Sequence, residues 1–263
     1  MPPPMSNERL HRKLNLGCGY DRREGYVNVD LHERHGPDVV ANVLELTTFP
    51  GSFYEEVYAQ DVLEHVTRAD VRKALFEWNR VLAVNGRLFV RTTDVGGLVR
   101  QLEAPENQGL HDQERLIQNM FGTQAYTGDF HLAGFTERIF RFYLWEAGFE
   151  VVSLGLYAGA FLDCWARKVR DVGFARVTEA TEAEPWVRSV YAELVQRPPR
   201  ADELAEGLTA PRHDVVQRLL LSDEHKAGMM ARAPAFPLSL HRPSLIQRAE
   251  RKLKRAVKSV LRR

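Results

Sequence analysis

The segment LNLGCGY at residues 14–20 joins a short apolar run, typical of a buried strand, to a turn that holds two glycines. Glycine lets the chain turn tightly and lets a ligand approach the backbone. In an open α/β sheet such a turn lies at the carboxyl ends of the strands, where ligands bind. Asp30 ends the next predicted strand, where a carboxylate can accept hydrogen bonds from the hydroxyls of a ribose. The segment therefore predicts an α/β fold with a ligand site at this edge.

The spacing around this turn argues against a dinucleotide. Position 22 is Arg, where the pattern G-x-G-x-x-G requires a third glycine. Asp30 also follows Gly17 by fewer than the roughly 20 residues that separate these features in dinucleotide folds. A lone Gly-x-Gly fits a tight turn without a ligand equally well, so the interpretation depends on the rest of the chain.

Short apolar runs alternate with helical patterns over the first 170 residues, which predicts a largely parallel sheet. Thr67 is a candidate N-cap for a helix over 68–82, which Asn85-Gly86 would stop, and a second helix covers 136–147. The polar stretch 94–130, with helix-like pieces at 95–102 and 113–121, is too long for an ordinary connector. Strands are predicted over 12–16, 26–31, 38–43, 54–60, 87–92, 150–154 and 160–167.

Five segments in a fixed order carry a family resemblance. They are LNLGCG, the NVD that ends at Asp30, ANVLEL at 41–46, YAQDVLEHV at 58–66 and RVLAVNGRLFV at 80–90. Together they resemble the class I S-adenosylmethionine-dependent methyltransferases of the type 11 branch, over roughly residues 14–169. The resemblance implies an α/β, Rossmann-like sheet of seven strands with the last strand antiparallel. It also implies an enzyme whose cofactor is S-adenosyl-L-methionine.

The same resemblance implies which residues hold the cofactor. The glycine turn would face its methionine part, Asp30 its ribose, and Asp61 its amino or sulfonium side. Asn42 stands where the family often has Asp at the adenine amino group, and its side-chain carbonyl can still accept a hydrogen bond. The full predicted cofactor set is Asn15, Gly17, Cys18, Gly19, Asp30, Asn42, Val43, Asp61 and Val62.

A hydroxyl acceptor needs a base, because the sulfonium already activates the methyl group and the protein mainly aligns the nucleophile. The candidates are His131, Asp94 and His65, and the polar stretch also offers His111-Asp112 and Asp129. His131 lies in FGTQAYTGDFHLAGFT at 121–136, which resembles a stretch common in methyltransferases of bacterial surface-polysaccharide clusters. Alternatively, His131 bonds to backbone in a lid, and the pair Glu64-His65 pins a loop. No H-E-x-x-H or Cys-x-x-Cys spacing supports a metal, so none is expected.

Residues 185–232 have a different pattern of several short helices. They resemble a small helical domain of undefined function that recurs in bacterial surface, secreted and polysaccharide-biosynthesis proteins. A docking role is expected, because the stretch has no cluster of reactive side chains. The markers of the resemblance are Tyr191, Glu193, Leu194, Arg197, Pro199, Leu220, Ser222 and Glu224. The chain thus divides into a catalytic domain (8–170), this helical domain (185–232) and a terminal helix (243–263).

The net charge of +1 hides an uneven distribution. Residues 244–263 hold eight Lys/Arg and one Glu, a net charge of +7, which leaves −6 on the preceding residues. Apolar residues in this segment recur at helical spacing, so it predicts a basic amphipathic helix that lies on an anionic membrane surface. Three alternatives are an acidic partner, which includes the protein's own body, a solvated end, and RNA. RNA is disfavoured because the segment has no aromatic residue to stack on bases.

These observations predict an O-methyltransferase that acts on a sugar, glycan or other small molecule in bacterial surface-polysaccharide biosynthesis. The alternatives are an RNA or protein methyltransferase, and a non-catalytic binding protein that kept the fold. Against RNA, no N/D-P-P-[FY] motif follows the fourth predicted strand. A cytoplasmic protein, peripheral on the inner membrane face, is expected, because the start of the sequence has no apolar h-region and no apolar run reaches the roughly 18 residues of a membrane span.

Overall fold

The computed structural model describes residues 11–126, 128–172, 182–238 and 240. Seven strands form one sheet in the order β3-β2-β1-β4-β5-β7-β6. The neighbours from β3 to β5 are parallel, and β7 runs antiparallel to both β5 and β6. The predicted fold class is therefore confirmed. The strands are β1 (Lys13–Leu16), β2 (Val27–Asp30), β3 (Val39–Val40), β4 (Tyr54–Gln60), β5 (Leu82–Thr93), β6 (Phe149–Tyr157) and β7 (Phe161–Lys168).

The helices are unevenly distributed along the chain. Residues 17–53, which connect β1 to β4, contain no α-helix and only one short 3-10 turn, Glu33–His35. Two helices lie in the insertion between β5 and α4, and four form the helical appendage. The α-helices of the described chain are α1 (Val71–Val81), α2 (Val95–Glu103), α3 (Leu110–Phe121), α4 (Glu137–Glu146), α5 (Ala183–Leu194), α6 (Ala201–Thr209), α7 (Arg212–Leu221) and α8 (Asp223–Arg232).

The sheet has one apolar face, because side chains alternate between the two faces of each strand. Leu16, Val57 and Val90 are fully buried on this face. They share one hydrophobic cluster with Trp78 of α1 and Leu144 of α4. The carboxyl ends of the parallel strands, where a ligand would bind, are left to the loops and to the insertion.

The appendage packs on the core through a buried polar cluster. Arg72 of α1 donates from Nε to Oε2 of Glu146 on α4 at 2.8 Å. Nε2 of His225 on α8 lies 3.6 Å from the other carboxylate oxygen, and its Nδ1 donates to the carbonyl of Leu194 at 2.7 Å. The apolar residues of α5 and α7 also belong to the same cluster as the sheet. The helical appendage and the sheet therefore share one core.

One arginine joins several of the marker residues of the appendage. The guanidinium of Arg197 donates to Glu203 at 2.7 and 2.8 Å and to Glu224 at 2.7 and 2.9 Å. It also lies 5.5 Å from the ring centroid of Tyr191. Ser222, another of the marker residues, caps α8 by accepting from the backbone nitrogen of His225.

Three local predictions were wrong. The first helix begins at Val71 rather than 68, because Thr67 and Asp70 bond to each other in a turn. The helix ends at Val81, and Asn85-Gly86 lies inside β5, where Asn85 has a φ of +65° at a shift in the strand register. The third strand is only Val39–Val40, since the chain turns at 42–45. The predicted helix 243–263 lies outside the described residues.

Candidate active site

The glycine turn closes tightly against the loop that follows β4. Gly17 and Gly19 have φ values of +61° and +49°, the left-handed region that glycine adopts without strain. A Cβ on Gly17 would lie 2.6 Å from Cγ2 of Val62, so a side chain at this position would displace Val62. The turn therefore needs glycine, and it leaves backbone groups exposed to the site.

Asp30 is held by three donors at the end of β2. The backbone nitrogen of Gly19 donates to its Oδ2 at 2.8 Å. The backbone nitrogen of His32 and Nδ1 of His35 donate to its Oδ1 at 2.8 and 2.9 Å. Burial alone would raise the pKa of Asp30, but these hydrogen bonds lower it below its usual value. Asp30 is therefore an ionised acceptor with a fixed orientation, as ribose binding requires.

A cavity of about 390 Å³ opens at this edge of the sheet. It is lined by seven of the nine predicted cofactor residues: Gly17, Gly19, Asp30, Asn42, Val43, Asp61 and Val62. Asn15 does not line it, because its amide is buried and bonded to Asn28 and to the carbonyl of Asp21. Cys18 does not line it either, and burial raises the pKa of its thiol to about 11. Asn15 and Cys18 therefore contribute to the packing of the turn and not to the cavity wall.

Asn42 has part of its hydrogen-bonding capacity already used. Its side-chain carbonyl accepts from the backbone nitrogen of Leu44 at 3.0 Å. The amide nitrogen of Asn42 can only donate. Among the described contacts it has no acceptor. The side chain is therefore suited to donate to a ring nitrogen of a purine as well as to accept from an amino group.

Asp61 stands at the opposite side of the cavity, after β4. It has a φ of +54°, and burial raises the pKa of its carboxyl despite the nearby charge of Arg91. The next residues form the 3-10 turn Leu63–His65, which turns the side chain of His65 into the cavity wall. The motif DVLEHV thus contributes both Asp61 and His65 to one site.

Glu64 fastens the insertion to the sheet. Its side chain is buried and accepts from Oγ1 of Thr92 on β5 at 2.9 Å. Its backbone carbonyl accepts from the nitrogens of Leu132 and Ala133 at 2.7 and 3.0 Å. Burial raises the pKa of Glu64 to about 8. The predicted loop-pinning role is therefore visible in the contacts of Glu64.

The histidines of this region lie side by side. The ring centroids of His65 and His131 are 4.8 Å apart in an edge-to-face arrangement. Nδ1 of His65 donates to the backbone carbonyl of Phe130 at 3.2 Å. Burial, and then the neighbouring His65, lower the pKa of His131, so it is neutral near pH 7. His65 lines the cavity, whereas His131 lies behind it.

Asp94, the third candidate base, has a different position. It is fully buried at the N-terminus of α2, where Oδ2 accepts from the backbone nitrogen of Gly97 at 2.9 Å. Arg100 lies 3.4 Å from the same oxygen. Asp94 does not line the cavity, and its contacts are those of a helix cap.

The cavity has further residues that the sequence did not single out. His32 and His35 follow Asp30, and Tyr126 and Gly128 reach the cavity from the insertion. The guanidinium carbon of Arg34 lies 4.6 Å from the ring centroid of Tyr126, so the insertion contacts the loop after β2. The closeness of two histidines to Asp30 was a signal in the sequence, but the contact with Tyr126 spans about 90 residues and had none.

Among the described residues, no group of three or more His, Cys, Asp or Glu is arranged to hold a metal ion. Among the same residues, no helix has the length and apolar character to cross a membrane.

Comparisons with known proteins agree with this geometry. Residues 8–90 match the sequence model of the family described as methyltransferase domain. No curated protein sequence matches the chain significantly.

Three solved structures illustrate the structural similarity. An N1-methyltransferase for 1,6-didemethyltoxoflavin from Burkholderia thailandensis, with S-adenosylhomocysteine bound, is 18% identical over 60% of this chain and 71% of its own, with a TM-score of 0.40. A methyltransferase from Methanosarcina mazei is 19% identical over 60% and 92%, with a TM-score of 0.44. One from Mesorhizobium loti is 17% identical over 59% and 90%, with a TM-score of 0.42.

The family match over residues 8–90 is to a methyltransferase domain, and these residues contribute most of the lining of the cavity described above. The activity that this domain indicates is S-adenosylmethionine-dependent methyl transfer. S-adenosyl-L-methionine is its cofactor. The residues present fit this group, because Gly17 has no room for a side chain and Asp30 is a fixed, ionised acceptor.

Proposed function

We propose that the protein methylates a hydroxyl group of a sugar or glycan acceptor, with His65 as the base. The observation that carries this proposal is the contact between His65 and Phe130. A backbone carbonyl only accepts, so the proton of a neutral His65 is on Nδ1. Nε2 then has a lone pair, and His65 lines the cavity. This is the protonation state that a general base needs.

The chain's own residues supply position and proton transfer. Bound S-adenosylmethionine supplies the activated methyl group. The glycine turn and Asp30 hold the nucleoside, and Asp61 faces the same cavity from the end of β4. His65 takes the proton of the acceptor hydroxyl on Nε2. The neighbouring His131, neutral near pH 7, places no cation beside the protonated His65.

The position of the insertion at the cavity supports an acceptor that enters the cavity beside the insertion. Tyr126 and Gly128 form one rim of the cavity, and His131 follows them in the chain. The resemblance of 121–136 to methyltransferases of surface-polysaccharide clusters supports a glycan as the acceptor. An RNA or protein acceptor has no comparable support in these residues.

Replacing His65 by Asn tests the base directly. An Asn amide nitrogen replaces Nδ1 as the donor to Phe130, whereas the base at Nε2 is lost. Transfer of a labelled methyl group from S-adenosylmethionine to a cell-surface glycan extract should fall by about 10²- to 10⁴-fold. The affinity for S-adenosylhomocysteine should stay within about threefold.

His111→Asn, an exposed histidine on α3, is the matched control and should keep full activity. Full activity of His65→Asn would refute the base. Label that enters only RNA or protein would refute the glycan acceptor. Folded protein that binds no S-adenosylhomocysteine in calorimetry would leave only a non-catalytic role for this fold.

The location of the protein is a separate proposal. The basic segment 244–263 supports a reversible association with anionic lipid on the cytoplasmic side of a membrane. Flotation with anionic vesicles tests it. A shortened chain that ends at Arg242 should remain in the dense fraction, and equal flotation of both chains would refute the association.

A further inference from the structure

The helix α3 has two apolar faces, of which only one is covered in the described structure. Leu116 is fully buried and packs with Leu98 of α2. On another side of the helix, Leu110, Ile117 and Phe121 are 90%, 45% and 50% exposed. Their spacing of seven and four residues places them in one stripe of about 16 Å. We name Leu110, Ile117 and Phe121 the α3 stripe.

Further exposed apolar residues of the insertion, beyond the end of α3, lie next to the α3 stripe. The carbonyl of Phe121 accepts from the backbone nitrogen of His131 at 3.0 Å. The two residues beside His131, Phe130 and Leu132, are 41% and 52% exposed. Isolated exposed apolar residues need no explanation, but a contiguous set of this kind marks an interaction surface.

The insertion that contains the stripe has a net negative charge. Residues 95–129 contain two arginines and five Asp/Glu, a net charge of −3. Glu114 lies within the stripe itself, one turn from Leu110, and its side chain is exposed. A partner with an apolar stripe flanked by basic residues would match both properties.

The same chain contains such a partner, and its described part leads towards the stripe. Phe236 lies 6.4 Å from Trp145, near the end of α4. The backbone nitrogen of Leu240 donates to Oε2 of Glu137 at 3.0 Å, at the start of α4. Phe236 and Leu240 therefore lie against opposite ends of α4, with Leu240 at the end nearer to the insertion.

The elements between Leu240 and the stripe contact one another in series. Phe135, next to the start of α4, forms a β-bridge with Asp94 at the start of α2, and α2 packs on α3. Residues 241–243 can span about 10 Å when extended. A helix over 244–263 would be about 30 Å long, which exceeds the length of the stripe.

We propose that the α3 stripe is the docking site of the chain's own basic segment, 244–263. The apolar side chains of the segment, such as Leu253 and Val257, cover Ile117 and Phe121. Its basic residues face Glu114 and the other acids of the insertion. The same apolar residues would enter a lipid surface, so the α3 stripe and an anionic membrane compete for the segment.

Disulfide cross-linking in the full chain tests this contact. Both native cysteines are buried, and burial raises the pKa of Cys164 to about 12, so they do not compete with introduced thiols. Ile117→Cys combined with Leu253→Cys should form a disulfide within one chain under mild copper-phenanthroline oxidation. The matched control is Val152→Cys with Leu253→Cys, since Val152 is 66% exposed on β6.

The Ile117 pair should cross-link at least about tenfold faster than the Val152 pair, and Glu114→Arg should slow it severalfold. Equal rates for the two pairs would overturn the proposal. A disulfide that forms only between two chains would also overturn it, because the stripe would then be an interface between copies. The proposal would also be overturned if the wild type floats with anionic vesicles but the Ile117 pair fails to cross-link in the absence of vesicles.

Discussion

The backbone nitrogen of Gly19 donates to Oδ2 of Asp30 at 2.8 Å, so the glycine turn and the end of β2 form one unit. In Asp30→Asn the charge is lost, and an amide nitrogen, which only donates, replaces one of the two accepting oxygens. A hydrogen bond to a charged group contributes about 1.5–3 kcal/mol. We therefore expect S-adenosylhomocysteine to bind roughly ten- to hundredfold more weakly in titration calorimetry.

Asp21→Asn is the control for this prediction, because Asp21 is exposed, pairs with Arg23 and does not line the cavity. Its affinity should equal that of the wild type. An Asp30→Asn variant that is folded and binds as tightly as the wild type would remove Asp30 from the cofactor site.

Glu64 should make stability depend on pH. In the folded protein burial raises its pKa to about 8, against 4.5 for the ordinary side chain. The folded state keeps a proton that the unfolded state loses, so the contribution of Glu64 to stability is full below pH 4.5 and is lost as the pH rises to about 8. Glu64→Gln, which stays neutral, should gain stability relative to the wild type between pH 5 and 8 in urea unfolding.

Glu64→Ala serves as the comparison. It leaves the hydroxyl of Thr92 without its acceptor and should lower stability by about 1–3 kcal/mol near pH 5. This deficit should shrink as the pH rises towards 8, because only the wild type loses the contribution of the protonated Glu64. A constant difference between wild type and Glu64→Gln from pH 5 to 8 would contradict a raised pKa.

His225 should make the protein sensitive to acid. Burial lowers the pKa of His225 below the ordinary value of 6.5, and the positive charge of Arg72 lowers it further. The hydrogen bond to the carbonyl of Leu194 opposes this shift without cancelling it. The unfolded chain takes up a proton near pH 6.5 that the folded chain resists, so stability falls as the pH drops through this range. Glu146, Lys226 and Arg232 are the other charged groups near the ring.

In His225→Gln the slope of unfolding free energy against pH should be smaller between about pH 7.5 and 5.5. His131, whose pKa is also lowered, keeps part of the slope. His111→Gln, an exposed site, should leave the slope unchanged. Identical slopes for His225→Gln and the wild type would disprove the assignment.

Arg197 should stabilise the appendage through its planar geometry. The guanidinium bonds two carboxylates at once, which a lysine ammonium cannot reproduce. We expect Arg197→Lys to lower the unfolding free energy by about 1 kcal/mol, since the pairs are partly screened by water. Arg188→Lys, at an exposed pair with Glu184, should cost less than about 0.5 kcal/mol. Equal melting temperatures for the two variants would contradict a special role for Arg197.

Local patterns predicted much of the fold. The alternation in 54–60 gave β4 with the bounds that the structure has, Tyr54–Gln60. The glycine turn and Asp30 were also recognisable, because each is required by a backbone geometry or a charge at a fixed place in the strand order. The prediction of Thr67 as the N-cap was wrong, because a threonine caps a helix only if the next residue enters it. Here a turn between Thr67 and Asp70 precedes the helix.

Contacts between distant residues were not predictable in the same way. The cluster of Arg72, Glu146 and His225 joins positions that no local pattern relates. The choice between His65 and His131 depended on which ring lines the cavity, a property of how the insertion folds back. Asp94 could have been interpreted differently, since an aspartate directly before a helical run is a typical cap.

The loops between β1 and β4 have one more consequence. In this part of the chain, loops rather than α-helices connect the strands that border the cavity. Binding then adds to stability in proportion to RT ln(1 + [L]/Kd), and at a ligand concentration of 100 Kd this is about 2.7 kcal/mol. For residues 17–53 we therefore expect bound S-adenosylmethionine to stabilise loops that no crossover helix covers, so that the cofactor slows proteolytic cleavage in this part of the chain.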